Sequence, residues 1–240
     1  MYHSNDGHDY TVTRNVTLGQ RYTIENCPWT RSNYDFTSWG IAPGYGGIFP
    51  GSVITIDSNY AFYANWKTNV SPIILDLDGN GVRTTSLENG TMFDFSGDGQ
   101  PVKTAWADPN CGFLVRDING NGQIDNASEM FGNFTLLKNG QRANNGFDAL
   151  AEFDLNGDGV IDRSEAEKAG ILIWNDANLN GKVDPGELLT LEQANILSIQ
   201  TQYTVSHYTD ENGNIWRWQG VFNRSNGSRA ICVDVLFATE

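Results

Sequence analysis

The 240-residue chain carries 29 Asp and Glu against 15 Lys and Arg, a formal charge of −14, with 39% hydrophobic and 12% aromatic residues. That is enough apolar material for one large core or two ordinary ones, which excludes a disordered acidic tail, and the lack of a basic patch excludes nucleic acid as a partner. No apolar run approaches the roughly 18 residues of a membrane span, and Cys27, Cys111 and Cys232 are too scattered for a disulfide framework or a zinc site.

Residues 1 to 67 are rich in β-branched and aromatic residues and are broken by turn signals at 5–7, 43–47 and 50–51. The alternation predicts strands over 10–17, 21–25 and 53–66. Trp39 and Trp66, each in an aromatic stretch, read as fillers of a small β core. The succession of 2–7, Tyr34, Phe36, Trp39, Pro50, Gly51 and 62–66 resembles the internalin-type B repeat of surface and secreted bacterial proteins. The resemblance implies a compact β-grasp-like module, a spacer or a unit that meets another protein or a cell-surface component. The opening 1–10 lacks a basic and apolar signal pattern and reads as a stretch within a longer protein.

A polar linker, 68–71, leads to Pro72 and a buried-strand-like run, 72–75, that feeds the first of five acidic loops. Asp76, Asp78 and Asn80 fill positions 1, 3 and 5 of a twelve-residue calcium loop, with Gly81 at 6 but Leu87 at 12. Asp94, Ser96 and Asp98 repeat the start, with Gly99 at 6 and Ala105 at 12. For these two loops, Asx turns without an ion, or a site shared across loops, stand beside the metal reading. Asp117, Asn119 and Asn121 continue through the Gln123 carbonyl to Asp125 at position 9, and the glutamate arrives one residue late at Glu129. Phe147, Leu150 and Phe153 share one face of a helix predicted over 145–153, which runs into the first complete loop.

That loop, 154–165, places Asp154, Asn156, Asp158, the Val160 carbonyl, Asp162 and Glu165 at positions 1, 3, 5, 7, 9 and 12. The second complete loop, 176–187, does the same with Asp176, Asn178, Asn180, the Lys182 carbonyl, Asp184 and Glu187. A calcium ion takes six to eight oxygens, one pair usually from a bidentate glutamate, and the glycine at position 6 makes the sharp turn. The ten residues 166–175 are too few for a standard helix-loop-helix pair, so the loops are expected to thread a mixed fold, with Ile161 and Val183 pointing into the core. A short exit helix at 165–168, a strand at 171–174 and a helix at 187–196 follow, and 198–205, 214–219 and 229–237 alternate like antiparallel strands between Asn-Gly turns.

The expectation is therefore an α+β chain of two domains: a small β-grasp-like module over 1–67, a linker at 68–71, and over 72–240 a mixed α/β, EF-hand-like calcium module closed by a C-terminal antiparallel sheet. It would bind two to five Ca²⁺ ions, and five would bring the charge from −14 to −4. From Pro72 onward the motifs at 72–81, 93–99, 112–133, 144–154, 217–227 and 234–237 resemble the self-processing module of iron-regulated RTX-type proteins. That resemblance implies calcium-dependent scission of an Asp-Pro bond just before the module, with transfer of the freed aspartyl group to a lysine. Here the preceding residue is Ser71, whose hydroxyl cannot form the cyclic anhydride of that chemistry. An N-to-O acyl shift would act on the Val70–Ser71 bond instead, with no base identified; Asp108–Pro109 and Asp184–Pro185 read as turn elements. The sequence thus points to a calcium-stabilised, non-catalytic structural or interaction module of a large secreted or surface bacterial protein. Self-processing near Ser71 and Pro72 is the alternative, and a dockerin-type module, disfavoured by Glu at position 12, is a lesser one.

Overall fold

The computed structural model describes residues 1–5, 10–30, 34–41, 47–68 and 70–239, with backbone only at 67 and 68. The turn signals at 6–7 and 43–46 and Asn69 of the linker lie outside the described residues. Contacts divide the chain into two units, Met1–Asn69 and Val70–Glu240.

In the first unit, β1 (Tyr2–His3), β2 (Thr11–Val12), β4 (Tyr34–Gly40) and β6 (Phe62–Thr68) form a sheet in the order β2-β1-β6-β4, with β1 parallel to β6. A second ribbon pairs β3 (Arg21–Thr23) with β5 (Val53–Thr55). The strand expected over 53–66 is broken because Asp57 takes the Tyr60 hydroxyl at 2.6 Å and closes a turn. Trp39 is fully buried, and its indole Nε1 donates to the Glu25 carbonyl at 2.9 Å; Trp66 Nε1 donates to Ser4 O at 2.6 Å. Each ring brings a large apolar area inside while its one polar atom finds a backbone partner.

The second unit is built on an eight-stranded sheet, which overturns the expected α+β, EF-hand-like architecture. Its strands are β7 (Ile73–Asp76), β10 (Cys111–Val115), β11 (Val160–Asp162), β12 (Leu172–Trp174), β13 (Leu188–Leu189), β14 (Ile196–Thr209), β15 (Ile215–Arg224) and β16 (Arg229–Leu236). They follow the order β11-β14-β15-β16-β7-β10-β12-β13, and β8 (Thr91–Phe93) and β9 (Val102–Thr104) form a separate ribbon. Among the described residues there are two α-helices, α1 (Gly146–Ala151) and α2 (Arg163–Ala169), six and seven residues long. No helix of the described residues is long and apolar enough to cross a membrane.

The sheet is covered on both faces, so its central strands carry apolar residues at successive positions rather than only at alternate ones. Val233, Ile74, Phe113 and Trp174 stand in register on one face, against Phe93, Phe95, Trp106 and Phe237. Ile73, Leu75, Leu114 and Ile173 point to the other, against Phe147, Leu150 and Ile161. The helix expected over 187–196 is absent: Leu188 and Leu189 pair with β12, and the chain then turns through Asn195 at φ 57°. Tertiary pairing overrides a modest helical preference there.

Gly146 shows how tightly α1 meets the sheet. A Cβ on it would lie 2.5 Å from Ile73 Cγ1 and 2.7 Å from the Phe131 carbonyl oxygen. Gly146→Ala is expected to cost about 1–3 kcal/mol through overpacking against backbone, read as a lower urea midpoint. An unchanged midpoint would show that α1 can move away freely.

Candidate metal centre

Three of the acidic loops end on a buried glutamate that performs the same task. Glu165 accepts the N–H of Leu155 at 2.8 Å on one oxygen and that of Asp162 at 3.1 Å on the other. Glu187 takes Ala177 and Asp184, both at 3.0 Å, and Glu129 takes Ile118 at 2.9 Å and Asp125 at 2.8 Å. In every case the carboxylate joins the second residue of the loop to the ninth. Glu129 therefore works at position 13 as the others do at 12, and the extra residue is absorbed by a 3₁₀ turn, Ala127–Glu129, capped by Asn126.

The first aspartates are also equivalent. Asp154, Asp176 and Asp117 each receive the sixth-position glycine N–H at 2.8 Å on Oδ2, and the fifth-position N–H at 3.1–3.2 Å on Oδ1. The glycines there, Gly159, Gly181 and Gly122, hold φ between 70° and 82°. Asn178 and Asn180 both bring their amides to Asp184 Oδ2, at 2.7 and 2.8 Å, and Asn119 and Asn121 bring theirs to Asp125 Oδ2, both at 2.8 Å. Side chains at positions 3, 5 and 9 thus converge on one point, and turning an amide over presents its oxygen in place of its nitrogen. In 154–165, Asn156 Nδ2 reaches Asp158 Oδ2 at 3.1 Å, while Asp162 caps α2 in a capping box with Glu165.

The two earlier loops differ. Asp94 accepts the N–H of Asp98 at 3.3 Å and of Gly99 at 2.7 Å, and Ser96 Oγ donates to it at 3.2 Å, but no glutamate closes the loop. Asp78 is gripped by Arg83 at 2.8 Å, which holds its carboxyl well below the usual range, and Asp76 lies 3.6 Å from Arg224. Arginines already answer the charge of that loop. Among the described residues no group of three or more His, Cys, Asp or Glu side chains gathers as a metal cluster. The oxygen sets of the loops are mixed, drawing on amides and backbone carbonyls as well as carboxylates, which is the donor chemistry calcium takes.

The two complete loops do not pair with each other. Ile161 is paired with Ile199 in the strand β14 and packs in one core, whereas Val183 is half-buried against the core on the opposite face. The partner of 176–187 is the 117–129 loop, through the Gln123 side chain. Trp106, which the sequence did not single out, donates Nε1 to Asp176 Oδ2 at 2.8 Å inside the aromatic cluster. Burial raises the Asp176 pKa against the lowering effect of these donors, while the Asn178 and Asn180 amides lower that of Asp184.

The junction at Ser71 and Pro72 is also enclosed. Ser71 is fully buried, its N–H donates to Asn133 Oδ1 at 3.0 Å, and Pro72 O accepts from Val235 N at 3.0 Å. The Ser71 hydroxyl is near enough to Asp234 to favour its ionised form, yet neither Ser71 Oγ nor Asp234 Oδ1 completes a well-directed hydrogen bond. Asp234 Oδ2 accepts the Gly146 N–H at 2.7 Å, and complete burial pushes this carboxyl up to about 7. Its place in the 234–237 motif was the only sequence signal for it. Cys111 and Cys232 are free and buried, and burial pushes both thiols up to about 12.

The SPM domain family matches residues 73–238. The iron-regulated protein FrpA of Neisseria meningitidis serogroup C is 39% identical over 171 residues, 70% of this chain, and the chain spans about 15% of that curated relative.

The raised Asp234 pKa has a defined consequence. Folded protein keeps a proton that the unfolded chain releases near the ordinary value of 3.8, so this group's contribution to stability is lost as pH rises from 3.8 to about 7. Asp234→Asn keeps an acceptor for Gly146 and removes the titration. The variant is expected to lack a decline of up to about 1.4 kcal/mol per pH unit across that window, in melting curves compared with wild type. Parallel pH profiles for the two proteins would contradict the assignment.

Proposed function

The chain belongs to the SPM domain family, and from that membership we propose that its second unit is a calcium-stabilised structural module of a larger secreted or surface protein. Three ions fit the donor sets best. Asp154, Asn156, Asp158, Val160 O, Asp162 and Glu165 would hold one; Asp176, Asn178, Asn180, Lys182 O, Asp184 and Glu187 a second; Asp117, Asn119, Asn121, Gln123 O, Asp125 and Glu129 a third. The observation that carries this reading is the recurrence of one carboxylate-to-backbone network in all three loops, including the one whose glutamate is displaced. Bound calcium would supply the positive charge that these loops lack and so hold the folded state. Extracellular calcium is millimolar, which suits such loops and a secreted setting. The first unit, with its tryptophan-centred core, serves as an internalin-type spacer or as a contact to another protein.

A second reading, self-processing at the junction, draws support from the Ser71 hydroxyl beside the Asp234 carboxyl. Ser71 Oγ would add to the Val70 carbonyl carbon as its proton passes to the Asp234 carboxylate. The carbon–nitrogen bond would then break, with that proton delivered to the Ser71 nitrogen, leaving an ester that water hydrolyses. Intact-mass measurement in millimolar calcium separates the readings: a fragment starting at Ser71 supports scission, and a single intact mass leaves the structural role.

The calcium reading is tested by melting with and without chelator. Each site saturated a hundredfold above its Kd adds about 2.7 kcal/mol, so EDTA is expected to lower Tm markedly, and an unchanged Tm would sink the proposal. Glu129→Gln is expected to reduce the calorimetric stoichiometry from three ions to two.

A further inference from the structure

Gln123 holds the seventh position of the 117–129 loop, yet its side chain leaves that loop altogether. Its amide nitrogen donates to the Val183 carbonyl at 3.1 Å, and its amide oxygen accepts the Val183 N–H at 3.1 Å. A primary amide carries a donor and an acceptor side by side, so it satisfies both backbone groups of one residue as an adjacent strand would. The corresponding residue of the 154–165 loop, Ile161, has its strand partner in Ile199. Val183 has Gln123. The residues flanking Val183 are Lys182 and Asp184, and both belong to the donor set of the 176–187 loop.

We propose that the Gln123 side chain is a positioning residue that couples calcium binding at the 117–129 and 176–187 loops. The inference rests on the calcium reading above. An ion in the first loop would hold the Gln123 carbonyl and fix the backbone from which the amide projects. The amide then fixes Val183, and with it the Lys182 carbonyl and the Asp184 carboxylate on either side. Coupling of this kind is reciprocal, so an ion in 176–187 favours binding in 117–129 by the same factor. The 154–165 loop, anchored to β14 and to the core on the other face of the sheet, binds independently.

The test is a double-mutant cycle on the full chain, read by terbium luminescence as a calcium-sized probe. Trp106, 2.8 Å from Asp176, serves as the sensitiser for the 176–187 loop. In the wild-type background, Asp117→Ala is expected to weaken terbium binding at 176–187 about tenfold, within the usual range of coupling between sites. In a Gln123→Met background, which keeps the side-chain length and removes both hydrogen bonds, Asp117→Ala is expected to leave that affinity unchanged. Gln123→Glu keeps the acceptor and loses the donor, so it should retain part of the coupling. A purely structural role for Gln123 would shift Tm but preserve the tenfold effect, and that result overturns the inference while leaving the calcium reading standing. Absence of calcium or terbium binding in wild type overturns both.

Discussion

A carboxylate almost removed from water needs hydrogen bonds to offset its desolvation, and in the second unit Glu129, Glu165 and Glu187 obtain them from backbone N–H groups, not from cations. Each spans its loop from the second residue to the ninth, so the carboxylate is what gives the loop its closed form. Neutral donors orient the charge without cancelling it. Three arginines of the module are spent elsewhere: Arg83 on Asp78 and Asp108, Arg224 on the 76–77 backbone, and Arg163 on Ile196, Glu192 and Ser225. Closed, oxygen-lined loops with uncancelled charge are the state in which a divalent cation gains most from binding.

The sheet converts those local loops into a single body. The strand β7 lies between β16 and β10, and its side chains feed both cores. Apolar residues next to the loops bind them to opposite faces, with Ile124 and Val183 on the aromatic side and Ile161 on the side of the two helices. The two complete loops, neighbours in the chain, thus face different cores, and the 117–129 and 176–187 loops, about sixty residues apart, are joined.

The candidate site was legible in the sequence to the extent that its chemistry is local. Asp, Asn and Gly at alternating positions fix the turn, so all three loops could be located, and even the late Glu129 could be assigned to its loop. What one stretch of chain cannot encode is the identity of its neighbour. The Gln123 carbonyl was assigned to its own loop, but its side chain gave no signal because its partner is Val183, and Trp106 gave none because Asp176 is seventy residues on. The fold class was misread for a related reason. The stretch β10 is apolar at every position but one, which periodicity alone does not assign to a strand, and 187–196 has helical composition that pairing with β12 overrides. A strand was expected before the 176–187 loop and a helix after it, but strands flank it on both sides.

The arrangement of β7 and β16 bears on how the module answers a pull. Ile73, at the start of β7, is paired with Asp234, near the end of β16, and Val235 N bonds to Pro72 O at that same end. Tension transmitted through residues 70 and 237 acts on neighbouring ends of two antiparallel strands. It loads the ladder one rung at a time, as a zip is opened, rather than shearing every rung together. Mechanical opening would begin at the Ser71–Pro72 junction and would first release its bonds to Asn133 and Val235.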